Sequence, residues 1–373
     1  MPRHRTAGLT VIRDCRRVYS EHDLDYGRDI SVNAALKITR AQILAYRRTV
    51  QGLDKRLPAG ADSLRSAAWA GLQDSVPRAA LHALHARVES IAPSDWENPA
   101  LVQVWGLRYT AYVVPAGDHA IYTLARLPDR GKIRERAFEL AARLDAYAEG
   151  RRVNSKDVAE AFGDHPNNLR YATLTGTVLI RWDGARRPTV WTAPTPDLDP
   201  REARAELIRR YLHVGGPSTA AAFAIWAGVS GDAAHAAFVA LSGELTPVAT
   251  PIGDAWILTS DAAALRAPVQ RPTAVRLLPS GDPYYLLQGA DRELLVPDPA
   301  SRTLLWTPRV WPGGLLVDGE IVGTWRRDRA TVTLQPWQAL LPAQRRTVEQ
   351  EARSIPLPDI GAKVDVRWDE SLL

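Results

Sequence analysis

The spacing of apolar residues along this chain changes several times, and each change marks a candidate element. Ile38, Ile43, Leu44 and Val50 recur near helical spacing, as do apolar positions from Leu72 through Val88 and from 133 to 149. Residues 31–150 therefore read as a mainly helical, winged-helix-like domain, preceded by a basic arm over 1–30. At Asn154-Ser155 a capping residue precedes a short helix over Lys156 to Phe162; Gly163-Asp164-His165-Pro166 breaks it, and another helix runs to about Leu174. After Gly176 the period becomes that of strands: TVLIRW, a DGARR turn and TVWTA predict a hairpin. Helix, turn, helix, hairpin over 151–198 is the order of a winged helix.

That order repeats over 199–268 with stronger punctuation. Asp199 as N-cap, Pro200 at the first helical position and the acidic Glu202 launch one helix. Gly215-Gly216-Pro217-Ser218 leads into a second, Val229-Ser230-Gly231-Asp232 into a third, and ELTPVATPIGDAWIL supplies the wing. From 269 to 373, RLLPSGDPYYLLQ, RELLVPD, GGLLVDGEIVGTWRR and ATVTLQP alternate turns with short β-rich runs, and a helix at about 340–352 packs across them. The expected class is α+β: tandem helix-turn-helix domains with a small C-terminal β-rich module.

Composition narrows the function. A hydrophobic share of 46% in 373 residues supports two or three packed domains and excludes a disordered or fibrous chain. No apolar run approaches the roughly 18 to 20 residues that cross a bilayer, and the charged N-terminus has no signal-peptide core, so a cytoplasmic, nucleoid-associated protein is expected. A single cysteine, Cys15, excludes an internal disulfide and a Cys-rich zinc site. The net charge of +5 points to a polyanionic partner. Of 47 basic residues only five are lysines, a bias expected of a GC-rich, actinobacterial genome; it explains the ratio but not the sign of the charge.

Specific chemistry is sparse at this level. The chain has no phosphate loop, no GxGxxG after a strand and no nucleophile elbow. His82 and His85 stand three apart on a predicted helix without a third ligand at a compelling spacing, so no metal and no small-molecule cofactor are expected. Arg181, Trp182, Arg186 and Arg187 put guanidinium groups at a β-turn, a form suited to a minor groove or to bracing phosphates. His165, Asn167, Asn168, Arg170 and Tyr171 on the preceding helix, and Arg326 and Arg327 beside Trp325, add candidate contacts to double-stranded DNA. The helix over 232–239 offers only Asp232 and His235 to base edges among alanines, which favours a protein tolerant of sequence. No heptad or other dimerisation pattern is visible, so a monomer is expected.

Several stretches carry a resemblance: Gly71-Leu72-Gln73 before an Ala-rich helix, WGLRYTAYVVP at 105–115, PREARAELIRRYLHVGGPSTAAAFAIWAG at 200–228, RLLPSGDPYYLL at 276–287, LLVPD at 294–298 and LLVDGEIVGTWRR at 315–327. In this order the chain resembles the bacterial winged-helix DNA-binding family that includes DNA glycosylases for alkylated and interstrand-crosslinked purines. The resemblance implies tandem winged helices curved into a C around duplex DNA, and hydrolysis of the N-glycosidic bond of N7- or N3-alkylated purines. Its motif of a glutamine, an intervening residue and a second glutamine or aspartate falls on Gln73, Asp74 and Ser75, with Arg108 and Tyr112 in support. Serine replaces the second functional side chain, and tyrosine stands at 112 where histidine is expected. An alkylated purine leaves as a neutral base without prior protonation. Its enzyme therefore has only to hold a water and stabilise the developing oxocarbenium charge, tasks a glutamine carbonyl can perform. The plainer alternative is that Gln73 and Asp74 cap the helix starting near Pro77. On that reading the protein is a catalytically inactive DNA-binding or damage-recognition protein, or a transcriptional regulator.

Overall fold

The computed structural model describes residues 36–184, 186–270, 272–357 and 363–373; the basic arm expected over 1–30 lies outside them. Helices and three sheets alternate, a mixed α/β arrangement.

The first described helix, Arg40–Val50, is opened by a capping box in which the Thr39 backbone N–H donates to Gln42 Oε1 and the Gln42 N–H donates to Thr39 Oγ1. Downstream, strands appear that the helical pattern did not predict. A six-stranded sheet runs in the order Leu72–Gln73, Ala111–Pro115, Leu101–Trp105, Val178–Arg181, Thr189–Thr192, Val153–Asn154. Leu101–Trp105 is buried at four of its five positions and Ala111–Pro115 at all five, so neither shows the alternation that marks a half-exposed strand. Leu72 and Gln73, read as the start of a helix, pair with Val113 and Tyr112 instead, and the helix begins at Ala79. One sheet thus joins residues on both sides of position 150.

The hairpin after Gly176 forms as the sequence predicts, and Lys132–Ala148 is the helix expected over 133–149. Pro166–Thr175 is a 3-10 helix rather than an α-helix, with His165 as its N-cap. Over 199–268 the order is the expected one: helices Pro200–Gly215, Ala220–Ala227 and Gly231–Ala240, then antiparallel strands Leu245–Thr250 and Gly253–Leu258. Leu36–Lys37 adds a parallel edge to that pair. The 233–239 stretch buries only Ala234 and Phe238. The C-terminal sheet takes Val275–Leu278, Gly313–Val317, Glu320–Asp328, Thr331–Pro336 and Asp365–Trp368, with helix Pro342–Arg353 across it. RELLVPD, read as β-rich, is instead a short helix, Asp291–Leu295, followed by another whose N-cap is Asp298.

The largest core cluster links the first and third parts of the chain, packing Val104, Leu107, Tyr112 and Leu124 with Leu207, Phe223, Trp226 and Phe238. Arg210 on helix Pro200–Gly215 reaches back to the Trp69 carbonyl at 3.3 Å and to Asp118 at 2.9 Å, fixing the stretch that leads into Gln73. No helix among the described residues is long and apolar enough to cross a membrane.

Candidate active site

The turn from Gln73 to Arg78 leaves the edge of the six-stranded sheet and enters helix Ala79–Arg87, with Arg78 at φ 66 making the reversal. Gln73 is half-buried and Ser75 exposed. The Gln73 amide is held at both ends: Nε2 donates to Ser75 Oγ at 2.6 Å, while Oε1 accepts from Arg108 Nη2 at 3.2 Å and from the Tyr112 hydroxyl at 3.4 Å. Because both partners of Oε1 are donors, the amide orientation is fixed by its neighbours. Gln73 thus leans onto the short side chain that stands at the second motif position. Arg108 also donates to Tyr112 at 3.3 Å and to the Trp226 carbonyl at the end of helix Ala220–Ala227. Tyr112 is fully buried, and burial raises its phenol above the usual range. It stays a neutral donor to Gln73.

Asp74, grouped with Gln73 and Ser75 in the sequence, points the other way. Its Oδ1 accepts from the Ala80 N–H at 3.0 Å and its Oδ2 from Gln103 Nε2 at 2.7 Å, with 1% of the residue exposed. It accepts a first-turn N–H of the helix that starts at Ala79, close to what the plainer sequence alternative expects of it, although Arg78 is the N-cap residue. Gln103 in turn accepts the Trp182 N–H at 2.7 Å, so one buried amide ties the Gln73 turn to the hairpin carrying the arginines. The sequence signal for Gln103 is the lone polar residue inside the apolar run LVQVW.

Burial pushes the Asp74 carboxyl up from 3.8 to about 7, outweighing its hydrogen bonds and the nearby Arg78 charge. Below about pH 4 the group is protonated folded and unfolded alike, and burial costs nothing through it. Between about 4 and 7 the unfolded chain ionises first, so folding stability falls as pH rises, and it levels off above about 8. Urea midpoints at pH 5 and pH 8 are expected to show this fall in the wild type and a smaller one in Asp74→Asn. An identical fall in both proteins would refute the assignment.

Two glycines close the site. A side chain at Gly184, in the hairpin turn at φ +85, would overlap Pro77, so the turn lies directly against the Gln73 turn. A Cβ at Gly281, φ +76, would stand 3.1 Å from Gln73 Cδ. Asp282, which lies in the RLLPSGDPYYLL stretch that carries the resemblance and reads as part of a turn, seats that glycine through a buried bidentate pair with Arg87, both bonds 2.7 Å. Nothing in the sequence marked Arg87 as its partner.

Of the other predicted residues, His82, Arg326 and Arg327 share a cavity lining with Val76 and Pro77 of this turn. Arg181 and Arg78 both lie over the Trp96 ring, at 4.3 and 3.6 Å, a stacking that no local spacing marks. Arg186 and Arg187 are exposed at the hairpin turn. Asn168 is tied to Asp164 at 2.6 Å, the Asn167 N–H donates to His165 Nδ1, and Arg170 sits on the same 3-10 helix. Arg326 reaches the Val310 carbonyl at 3.3 Å and Arg327 the Arg329 carbonyl at 2.8 Å. His82 and His85 are both buried, and His85 Nε2 lies 3.0 Å from Ser354 Oγ.

Comparison with known proteins adds three findings. The family model described as DNA glycosylase AlkZ-like matches residues 67–355. An interstrand DNA cross-link repair glycosylase of Streptomyces sahachiroi is 27% identical over 173 residues, 45% of this chain; the match spans about half that protein's length, 46%. The solved structure of the Streptomyces sahachiroi DNA glycosylase AlkZ superposes with a TM-score of 0.72 at 20% identity, covering 90% of this chain and all of that one. At that identity the likeness is one of fold.

Proposed function

The chain belongs to the AlkZ-like DNA glycosylase family, and from that premise we propose that it is a monofunctional DNA glycosylase acting on duplex DNA, hydrolysing the N-glycosidic bond of N7- or N3-alkylated purines. The observation that carries this reading is the Gln73 amide held by Ser75, Arg108 and Tyr112 directly beside an arginine-bearing hairpin. A water donating its two hydrogens to Gln73 Oε1 and Ser75 Oγ presents its lone pair to the sugar carbon, while the departing base needs no acid. The bonds from Arg108 and Tyr112 to Oε1 are long, so that oxygen keeps accepting capacity. Asp74 and Gln103 act as positioning residues behind the turn.

The same reading takes residues 199–268 as a winged helix, on the strength of three helices followed by an antiparallel pair, within a tandem array straddling DNA as a monomer. Arg181, Arg186 and Arg187, with Asn167, Asn168, Arg170, Arg326 and Arg327, are its backbone contacts. In the double variant Arg186→Ala/Arg187→Ala, affinity for duplex DNA is expected to fall about tenfold and the log–log salt slope by about two, as each lost phosphate contact removes about one unit. Anisotropy titrations at several salt concentrations measure both; an unchanged slope removes the hairpin from the interface.

DNA binding without hydrolysis is a second reading, favoured by one observation: Gln73 Oε1 already accepts from two donors while serine replaces the second motif side chain. Incubating duplex DNA bearing 7-methylguanine with the protein separates the two. Free 7-methylguanine and heat-labile abasic sites far above the spontaneous rate support the enzyme; binding without release supports the alternative.

A further inference from the structure

Two consecutive residues beside the site, Arg108 and Tyr109, hold the left-handed backbone region, at φ 50 and φ 56. Residues with a Cβ avoid that region, and they stay there only where the surrounding structure fixes them. We propose that Arg126 fixes this turn, and through it the Arg108 guanidinium against Gln73, as a positioning residue for hydrolysis of the glycosidic bond. The inference rests on the glycosylase reading and deepens it by adding a residue that touches neither substrate nor Gln73.

Three observations carry it. The first is what Arg126 touches. Its side chain is buried, its Nη1 donates to the Gly106 carbonyl at 2.6 Å, and its guanidinium lies 3.9 Å from the centre of the Tyr109 ring. Both contacts fall on one turn, the first at its N-cap and the second at its last residue. The Gly106 carbonyl also accepts the Tyr109 N–H at 3.0 Å, so the arginine bonds the same oxygen that closes the turn. The second observation is what the turn presents. Arg108 stands between those two anchors and reaches the site: Nη2 donates to Gln73 Oε1 at 3.2 Å and to the Tyr112 hydroxyl at 3.3 Å, while Nη1 donates to the Trp226 carbonyl. A backbone relaxed to the right-handed region would send that side chain off in another direction and break the set. The third observation is what holds Arg126. Arg204, buried on helix Pro200–Gly215, donates through Nε to the Ala125 carbonyl at 2.9 Å and through Nη2 to the Leu127 carbonyl at 3.1 Å, the two that flank Arg126 in the chain. The Tyr109 ring is met in turn by Tyr171, edge-on with centroids 5.3 Å apart. Arg204, Arg126 and Arg108 thus form a relay from the third part of the chain to the Gln73 amide.

Hydrolysis at this site depends on where Gln73 Oε1 points, because that oxygen aligns the water. With Arg108 displaced, the amide loses its charged donor and is free to turn, and a misplacement of about 1 Å can cost up to about 10²-fold in rate. The proposed phosphate contacts are other residues, so the loss falls on the chemical step rather than on affinity.

The test uses the full chain, single-turnover excision from duplex DNA bearing 7-methylguanine, and hydrogen exchange of the Tyr109 and Thr110 amides, which bond the Gly106 and Leu107 carbonyls. Arg126→Ala is expected to lower the saturating rate about tenfold while duplex affinity stays within about twofold. Tyr109→Leu removes the ring beneath the guanidinium and is expected to act alike, so a folding failure in one variant leaves the other to decide. Both amides should exchange about tenfold faster in each variant. On an Arg108→Ala background either substitution should cost less than about twofold more, because its route to Gln73 is already cut. Wild-type rate and exchange in both variants overturn the proposal and leave the glycosylase reading standing. So does a rate loss that comes without faster exchange, that is matched by lost affinity, or that persists undiminished on the Arg108→Ala background. Should wild type release no 7-methylguanine while the variants still exchange faster at these two amides, the glycosylase reading falls and the assignment of Arg126 to the turn stands.

Discussion

Gln73→Ala is expected to lower the single-turnover excision of 7-methylguanine from duplex DNA by about 10²–10³-fold, the usual effect of removing one preorganised polar group at a reacting centre. The side chain is the only one in the Gln73–Ser75 turn that combines partial exposure with three convergent partners: Ser75 at 2.6 Å, Arg108 at 3.2 Å and Tyr112 at 3.4 Å. Truncation leaves Arg108 and Tyr112 facing one another without the acceptor between them, and nothing holds a water in line. Ser75→Ala removes one acceptor from that water but leaves the Arg108 and Tyr112 anchors, so a smaller loss of about tenfold is expected. A stability loss of about 1–3 kcal/mol at most is expected, because Gln73 contributes no core packing but the fully buried Tyr112 hydroxyl loses its acceptor. Wild-type rates in Gln73→Ala, with folding confirmed, would place the hydrolytic site elsewhere. Tyr112→Phe is a useful companion. It keeps the buried ring and deletes one hydroxyl, so a fall in rate without a fall in DNA affinity would show that the hydroxyl acts through Gln73.

Much of this architecture could be read from the chain because its punctuation is local. Asp199 capping the Arg201 N–H, Ser230 capping Ala233 and the Gly176 reversal into the hairpin each depend on residues within a few positions of one another. The misses have the opposite character. Leu101–Trp105 and Ala111–Pro115 are buried on both faces, so their apolar runs lack a period, and only the sheet they join makes them strands. Pro166–Thr175 winds as a 3-10 helix packed on Lys132–Ala148 while capped by His165, a distinction that composition does not encode. Around Gln73 the motif was legible, and so were Arg108 and Tyr112 through the resemblance. Gln103, Arg87 and Asp282 were not, because each acts across separations of 29 or 195 residues that no spacing rule reaches. The direction of Asp74 was likewise undecidable, since Gln103 and the Ala80 N–H draw it inward only once the sheet has formed.

The Arg87–Asp282 pair should dominate the stability of the site. Asp282 is fully buried and Arg87 is 1% exposed; besides the two 2.7 Å bonds between them, Arg87 donates to Gln51 Oε1 at 2.8 Å and to the Ala83 carbonyl at 3.0 Å. Asp282→Ala leaves a guanidinium that cannot lose its charge buried without a counter-ion, and such broken pairs cost about 3–5 kcal/mol. Urea unfolding at neutral pH should register that loss, and a loss below about 1 kcal/mol would mean that water or a rearranged neighbour satisfies Arg87. A double replacement, Arg87→Met/Asp282→Leu, separates folding from function. With both charges gone the apolar pair should recover most of the stability, yet the turn that holds Gly281 against Gln73 would lose its carboxylate anchor, which also accepts the Tyr284 N–H at 2.9 Å, and keep only its backbone bonds and those of the Tyr285 hydroxyl. Excision should therefore stay low in a protein that folds well. Recovery of stability and rate together would show that the ion pair serves the fold alone, and that the Gln73 amide keeps its place without it.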